Sequence, residues 1–156
     1  MLSEQVQVAP PAWVALLRAH AATTRQLSAL LVAEHGLTIN DFEALLRLSR
    51  AEGQRMRRVD LAGELLLTAS GVTRLLDGLE AAGYVERASC ANDRRVTYAV
   101  LTEAGLAKLR EAADSHVAAV QALFEERYSE EELGQLGHLL SRLPGAEGTA
   151  AESCSP

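Results

Sequence analysis

Residues 84–105 read YVERASCANDRRVTYAVLTEAG. Two short runs rich in β-branched and aromatic residues flank a polar loop that carries Asp93, Arg94 and Arg95. That pattern predicts a β-hairpin. Thr102 then gives a helix-start signal, and Leu106, Leu109, Ala113, Val117, Val120 and Leu123 or Phe124 share one face of a long helix. The hairpin thus pushes two adjacent arginines outward at its tip, in a chain whose net charge is −6.

Upstream, VDLAGELLLTASGVTRLLDGLEAAGYV (59–85) carries two helical patterns with a tight joint. Leu61, Ala62 and Leu65 form the first apolar face. Thr68 is the expected N-cap of the second helix, whose apolar face is Val72, Leu75, Leu76 and Leu79, and Gly83 stops it. Packing those four residues inward turns Ala69, Ser70, Thr73, Arg74 and Asp77 outward. Further upstream, TINDFEALLRLSRAEG (38–53) reads as a helix capped by Thr38 or Asn40, with Glu43 three after Asn40, and closed by Gly53. Pro10-Pro11 suits the start of a first helix. Along it Trp13, Leu17, His20, Thr24, Leu27 and Leu31 recur at heptad-like steps, and Gly36 is its expected stop. Ser129 and Glu132 form a capping box for a last helix bearing Leu133, Leu136, Leu140 and Leu143. Residues 1–9 carry no helical pattern, and residues 144–156 have the composition of a disordered tail.

Helix, tight turn, helix, hairpin is the order of a winged helix-turn-helix. The expected fold is therefore mainly α with a small β wing. A DNA-reading helix needs small residues near its start, hydroxyls, and an arginine able to pair with guanine. Residues 68–77 offer these, though an ordinary amphipathic helix also has a polar face; the basic hairpin favours DNA. Charge distribution agrees. Residues 47–95 hold nine arginines against seven acids, while the remainder holds six basic and fourteen acidic residues. A locally basic middle can meet phosphates while the acidic remainder limits nonspecific adhesion.

These motifs resemble the MarR-type transcriptional regulators. LTASGVTRLLDGLEAAGYVER (67–87) is similar to that family's recognition helix and the start of its wing. DRRVTYAVLTEAG (93–105) matches its D-x-R and hydrophobic-L-T-x-x-G signature, and YSEEELGQLGHLLSRL (128–143) its closing helix. The resemblance covers roughly residues 12–143. It implies a winged helix-turn-helix lobe (38–101) flanked by N- and C-terminal dimerisation helices (10–35 and 103–143) within one domain (10–143). It also implies a homodimeric repressor on a pseudo-palindromic double-stranded DNA operator, released by a small-molecule effector. The DNA-contacting residues it implies are Thr68, Ser70, Thr73, Arg74, Asp93, Arg94 and Arg95, with wing arginines at the minor groove and Asp93 orienting one of them by an ion pair. Many members have Gly in the helix-turn-helix turn where this chain has Leu66. An αL conformation there would be strained by roughly 1–2 kcal/mol, so the turn would follow a different path. Independently, the first and last two helices carry more apolar surface than one small winged domain can cover, which also points to a dimer.

Effector pockets in this family lie between the dimer helices and the DNA-binding lobe. His20 is therefore a candidate partner for a phenolic or carboxylate ligand, with Trp13 stacking on it; the alternative is an interface histidine beside a core tryptophan. Cys90, in the wing near Arg87, Arg94 and Arg95, is the candidate for a thiol- or oxidant-sensing alternative. The four histidines are dispersed singly, so no metal site is expected, and no cofactor. No nucleophile elbow or phosphate loop points to an enzyme. A winged helix used only for protein interaction is the rival from another class; Arg94 and Arg95 beside a Ser/Thr/Arg face argue against it. No run reaches the ~18 apolar residues of a membrane span, no secretory signal is visible, and a cytoplasmic location is expected.

Overall fold

The computed structural model describes residues 10–65 and 67–145. The elements run α1 (Pro11–His35), α2 (Ile39–Arg50), β1 (Arg55–Arg57), α3 (Arg58–Glu64), α4 (Ala69–Ala81), β2 (Val85–Ser89), β3 (Thr97–Leu101), α5 (Glu103–Glu125) and α6 (Glu130–Leu140). The mainly helical architecture with a small β wing is as expected. The expectations for residues 1–9, Leu66 and residues 146–156 lie outside the described residues.

Side chains near each helix end set the boundaries. Pro11 opens α1, and Gly36 closes it at φ 68, a left-handed conformation suited to glycine. Thr38, not Asn40, caps α2. Its hydroxyl accepts from the Asp41 N–H at 3.1 Å, and the Asp41 carboxylate accepts from the Thr38 N–H at 2.8 Å. Gly53 does not close α2, which ends at Arg50 with Ala51 extended. Instead Gly53 takes φ 64 inside a following 3-10 turn, Glu52–Gln54, that redirects the chain into β1. Thr68 caps α4 and Ser129 caps α6, the latter in a reciprocal capping box with Glu132.

The sheet is antiparallel with order β1-β3-β2. The hairpin was legible, but β1 was not: it places Arg55, Met56 and Arg57 opposite Val100, Ala99 and Tyr98. Three residues, two of them arginines, show no alternation that could mark a strand. Arg55 covers the Tyr98 ring at 4.8 Å, a cation–π contact that suits this edge position.

The described chain divides into two compact units within α5, one ending at His116 and one beginning at Val117. In the first, Leu45 and Leu48 of α2, Leu61 of α3, Val72, Leu76 and Leu79 of α4, Val85 of β2 and Leu101 of β3 are buried in one cluster with Leu109 and Ala112 of α5. Leu75, expected on the same face of α4, is only half-buried. His35 joins α1 to α5: its ring nitrogens lie 2.6 Å from the Ser115 hydroxyl and 3.3 Å from the Glu111 carboxylate. In the second unit α6 has no buried residue, and Leu139, Leu140 and Leu143 are exposed.

The hairpin is locked to α5 at its base. The Thr102 hydroxyl donates to the Gly83 carbonyl at 2.7 Å and accepts from the Gly105 N–H at 3.0 Å, while the Thr102 N–H donates to the Tyr84 carbonyl. A Cβ at Gly105 would collide with that Tyr84 oxygen and lie 2.8 Å from Leu101 Cδ1. The L-T-x-x-G pattern thus has a steric and hydrogen-bonding cause: it fixes where the wing leaves the body.

Candidate nucleic-acid interface

The start of α4 carries the hydroxyls of the expected reading face. Thr68 and Ser70 are exposed, with their oxygens 3.2 Å apart, and Thr68 accepts from the Gly71 N–H at 3.0 Å. The Thr68 oxygen is therefore largely committed to capping. Thr73 is half-buried, and its hydroxyl donates to the Ala69 carbonyl at 2.8 Å and accepts from Arg58. Thr73, expected to turn outward, is thus half-buried with its hydroxyl engaged within the protein. Arg74 is exposed and, among the described residues, has no ion-pair partner.

The wing loop connects β2 to β3 and presents Arg94 and Arg95 exposed to solvent. Asp93 does not pair with either guanidinium. Its carboxylate accepts from the Arg95 backbone N–H at 2.9 Å, and its carbonyl accepts from the Val96 N–H at 3.1 Å. Short aspartate side chains favour such turn-forming bonds to backbone two residues on. Asp93 thus shapes the loop and leaves both arginine charges without a carboxylate partner among the described residues.

Neighbouring arginines are neutralised. Arg57 grips Asp60 through two bonds, at 2.6 and 3.0 Å, and this contact raises its pKa above the ordinary arginine value. Arg87 on β2 pairs with Asp77 and with Glu80, the latter at 2.6 Å, tying the wing's first strand to α4. Asp77, expected to face outward, does so but is occupied by Arg87. Arg58, read in the sequence only as one of the nine arginines of the basic middle, is half-buried on α3 and reaches fifteen residues along the chain to Thr73. Arg58, Thr73 and Arg95 all line one open groove of about 610 Å³ between α3, α4 and the wing.

The other candidates lie elsewhere. His20 and Thr24 line a shallow groove on α1 that also includes Arg25, Thr38 and Asn40. Trp13 is not part of that groove; it is 52% exposed near the start of the helix. Cys90 is a half-buried free thiol whose backbone N–H bonds to the Val96 carbonyl. Among the described residues no three His, Cys, Asp or Glu side chains cluster as a metal site, and no helix is long and apolar enough to cross a membrane.

Comparison with known proteins gives a consistent picture. A family model described as the MarR family matches residues 35–96. The HTH-type transcriptional repressor YetL of Bacillus subtilis is 34% identical over 115 residues, spanning 71% of this chain and 68% of that protein. AbsC, a MarR family transcriptional regulator from Streptomyces coelicolor, superposes with TM-score 0.72 at 36% identity, covering 86% of this chain and 93% of AbsC. Sco3205 from the same organism, a MarR family regulator whose crystal structure is a complex with DNA, superposes with TM-score 0.77 at 26% identity, covering 88% of each chain.

Proposed function

The chain belongs to the MarR family of transcriptional regulators, and from that premise we propose that it is a homodimeric repressor that reads a pseudo-palindromic operator and is released by a small-molecule effector. In this reading Thr68, Ser70 and Arg74 face the major groove, and Arg94 and Arg95 reach the adjacent minor groove. Thr73 holds Arg58 and Asp93 shapes the wing loop from within the protein. The observation that carries the reading is the charge pattern: Arg74, Arg94 and Arg95 are exposed without carboxylate partners among the described residues, whereas Arg57 and Arg87 beside them are neutralised.

The dimer is supported by apolar surface left open at both ends of the chain. Trp13, Leu17, Leu30 and Val32 are exposed on α1, and Leu139, Leu140 and Leu143 in the C-terminal unit. The segments 10–35 and 103–143 are the proposed dimerisation helices. The His20 groove is the proposed effector region, suited to a phenolic or aromatic carboxylate ligand by its histidine, its threonine and Arg25. The site of action in this reading is the cytoplasm.

The test is a titration of the DNA upstream of the protein's own gene and of a scrambled duplex at one salt concentration. Arg74→Ala is expected to weaken operator binding by about 1–3 kcal/mol and to spare the scrambled duplex, since a base contact carries sequence information. Equal losses on both duplexes would demote Arg74 to a phosphate contact.

A further inference from the structure

Two adjacent arginines stand where β1 meets α3, and the fold treats them differently. Arg57 is exposed and neutralised by Asp60. Arg58 is half-buried, yet among the described residues no carboxylate lies within ion-pairing distance of it. One of its terminal nitrogens donates to the Thr73 hydroxyl, and its Nε is buried with no hydrogen-bond partner among the described residues. Part of this guanidinium is thus withdrawn from water, and an arginine cannot relieve that by shedding its proton. Its buried Nε therefore carries a desolvation cost in the free protein.

The surroundings indicate what offsets that cost. Arg58 and Thr73 line the same groove as Arg95 of the wing. Thr73 spends its donor on the Ala69 carbonyl, so its oxygen remains an acceptor that can hold the guanidinium in place. A planar guanidinium with donors to spare matches the oxygens of a phosphate. We infer that Arg58 is a phosphate-positioning residue, held by Thr73 and left without a carboxylate so that a DNA backbone phosphate at the groove between α3, α4 and the wing completes its partners. The inference rests on the DNA-binding reading above and adds to it a contact that sets the register of α4 on the duplex without reading sequence.

The experiment compares the full-length protein with Arg58→Met, which keeps the apolar stem, and Arg58→Lys, which keeps the charge but loses the fork. Each is titrated with the operator and scrambled duplexes across a salt series, and its melting temperature is measured. In Arg58→Met the slope of log K against log salt should become shallower by about 1.8 for a dimer, one phosphate per protomer. That slope change corresponds to about a 60-fold loss at 0.1 M salt relative to the 1 M extrapolation. The loss should be equal on both duplexes, and the melting temperature should match or exceed that of the parent. Arg58→Lys should keep the parent's slope with lower affinity. An unchanged slope in Arg58→Met, or a fall in its melting temperature, would overturn the inference in favour of a structural role. Should Arg94→Ala with Arg95→Ala lower the slope while Arg58→Met does not, the DNA reading would survive alone. A parent protein that binds neither duplex would overturn both.

Discussion

Gly105→Ala tests the steric lock between wing and α5. The added Cβ would collide with the Tyr84 carbonyl oxygen and sit 2.8 Å from Leu101 Cδ1, and the first of these obstacles is backbone. Tyr84 also accepts the Thr102 N–H, so moving its carbonyl disturbs the bond that seats the hairpin. Overpacking of this kind costs about 1–3 kcal/mol, with the upper part of that range fitting a rigid obstacle. Alanine recovers up to about 1 kcal/mol of helix propensity, leaving a net loss of about 2 kcal/mol. For a chain of this size the melting temperature should fall by about 4–8 °C. Gly78→Ala is the matched control, because Gly78 is exposed within α4 and a Cβ there meets nothing within 4 Å. It should raise stability by about 0.5–1 kcal/mol. Both are read by thermal circular dichroism at one protein concentration, since association shifts apparent stability. A Gly105→Ala protein as stable as its parent would refute the steric account of the L-T-x-x-G motif.

Further tests address single side chains. Thr68→Ala removes the acceptor of the Gly71 N–H and should cost about 1 kcal/mol in urea denaturation, together with some operator affinity; unchanged stability would show that the cap is replaceable by water. His116 lies against Phe42 with ring centroids 4.6 Å apart, and burial lowers its pKa below the ordinary 6.5. Because the unfolded histidine takes up a proton first, it reduces stability as pH falls from neutrality through 6.5 toward the folded pKa. His116→Phe should remove that part of the pH dependence, and identical pH–stability curves would contradict the assignment. Cys90→Ser should leave release from operator by an effector unaltered; peroxide-driven release that vanished in the variant would make the thiol the sensor.

What was legible in the sequence was local. A cap acts within three residues, so Thr38, Thr68, Thr102 and Ser129 could be found at their helix starts, and Gly36 at a helix end. The apolar face of α4 follows from its period, which placed Val72, Leu76 and Leu79 inward. Tertiary pairings were not legible. Strand β1 is too short and too charged to show alternation, and His35 meets partners 76 and 80 residues away. For the site, composition revealed the arginines but not their state. Only the folded chain distinguishes Arg57 and Arg87, already paired, from Arg74, Arg94 and Arg95. Likewise an Asp beside two arginines suggests an ion pair, whereas Asp93 bonds backbone because a two-residue turn brings the Arg95 N–H closer than any guanidinium.

The central claim is that the wing arginines meet DNA, and the salt dependence of operator binding tests it most directly. With Asp93 engaged by backbone, neither Arg94 nor Arg95 is held back from phosphate, so Arg94→Ala with Arg95→Ala removes two free charges per protomer. Counterion release predicts a slope of log K against log salt that is shallower by up to ~3.6 for a dimer. The loss should be steep at low salt, with little change in the preference for operator over scrambled duplex. Circular dichroism should be unaltered, because both side chains are exposed. A double variant that kept the parent's slope and affinity would mean that the wing does not touch DNA, and the account would fail.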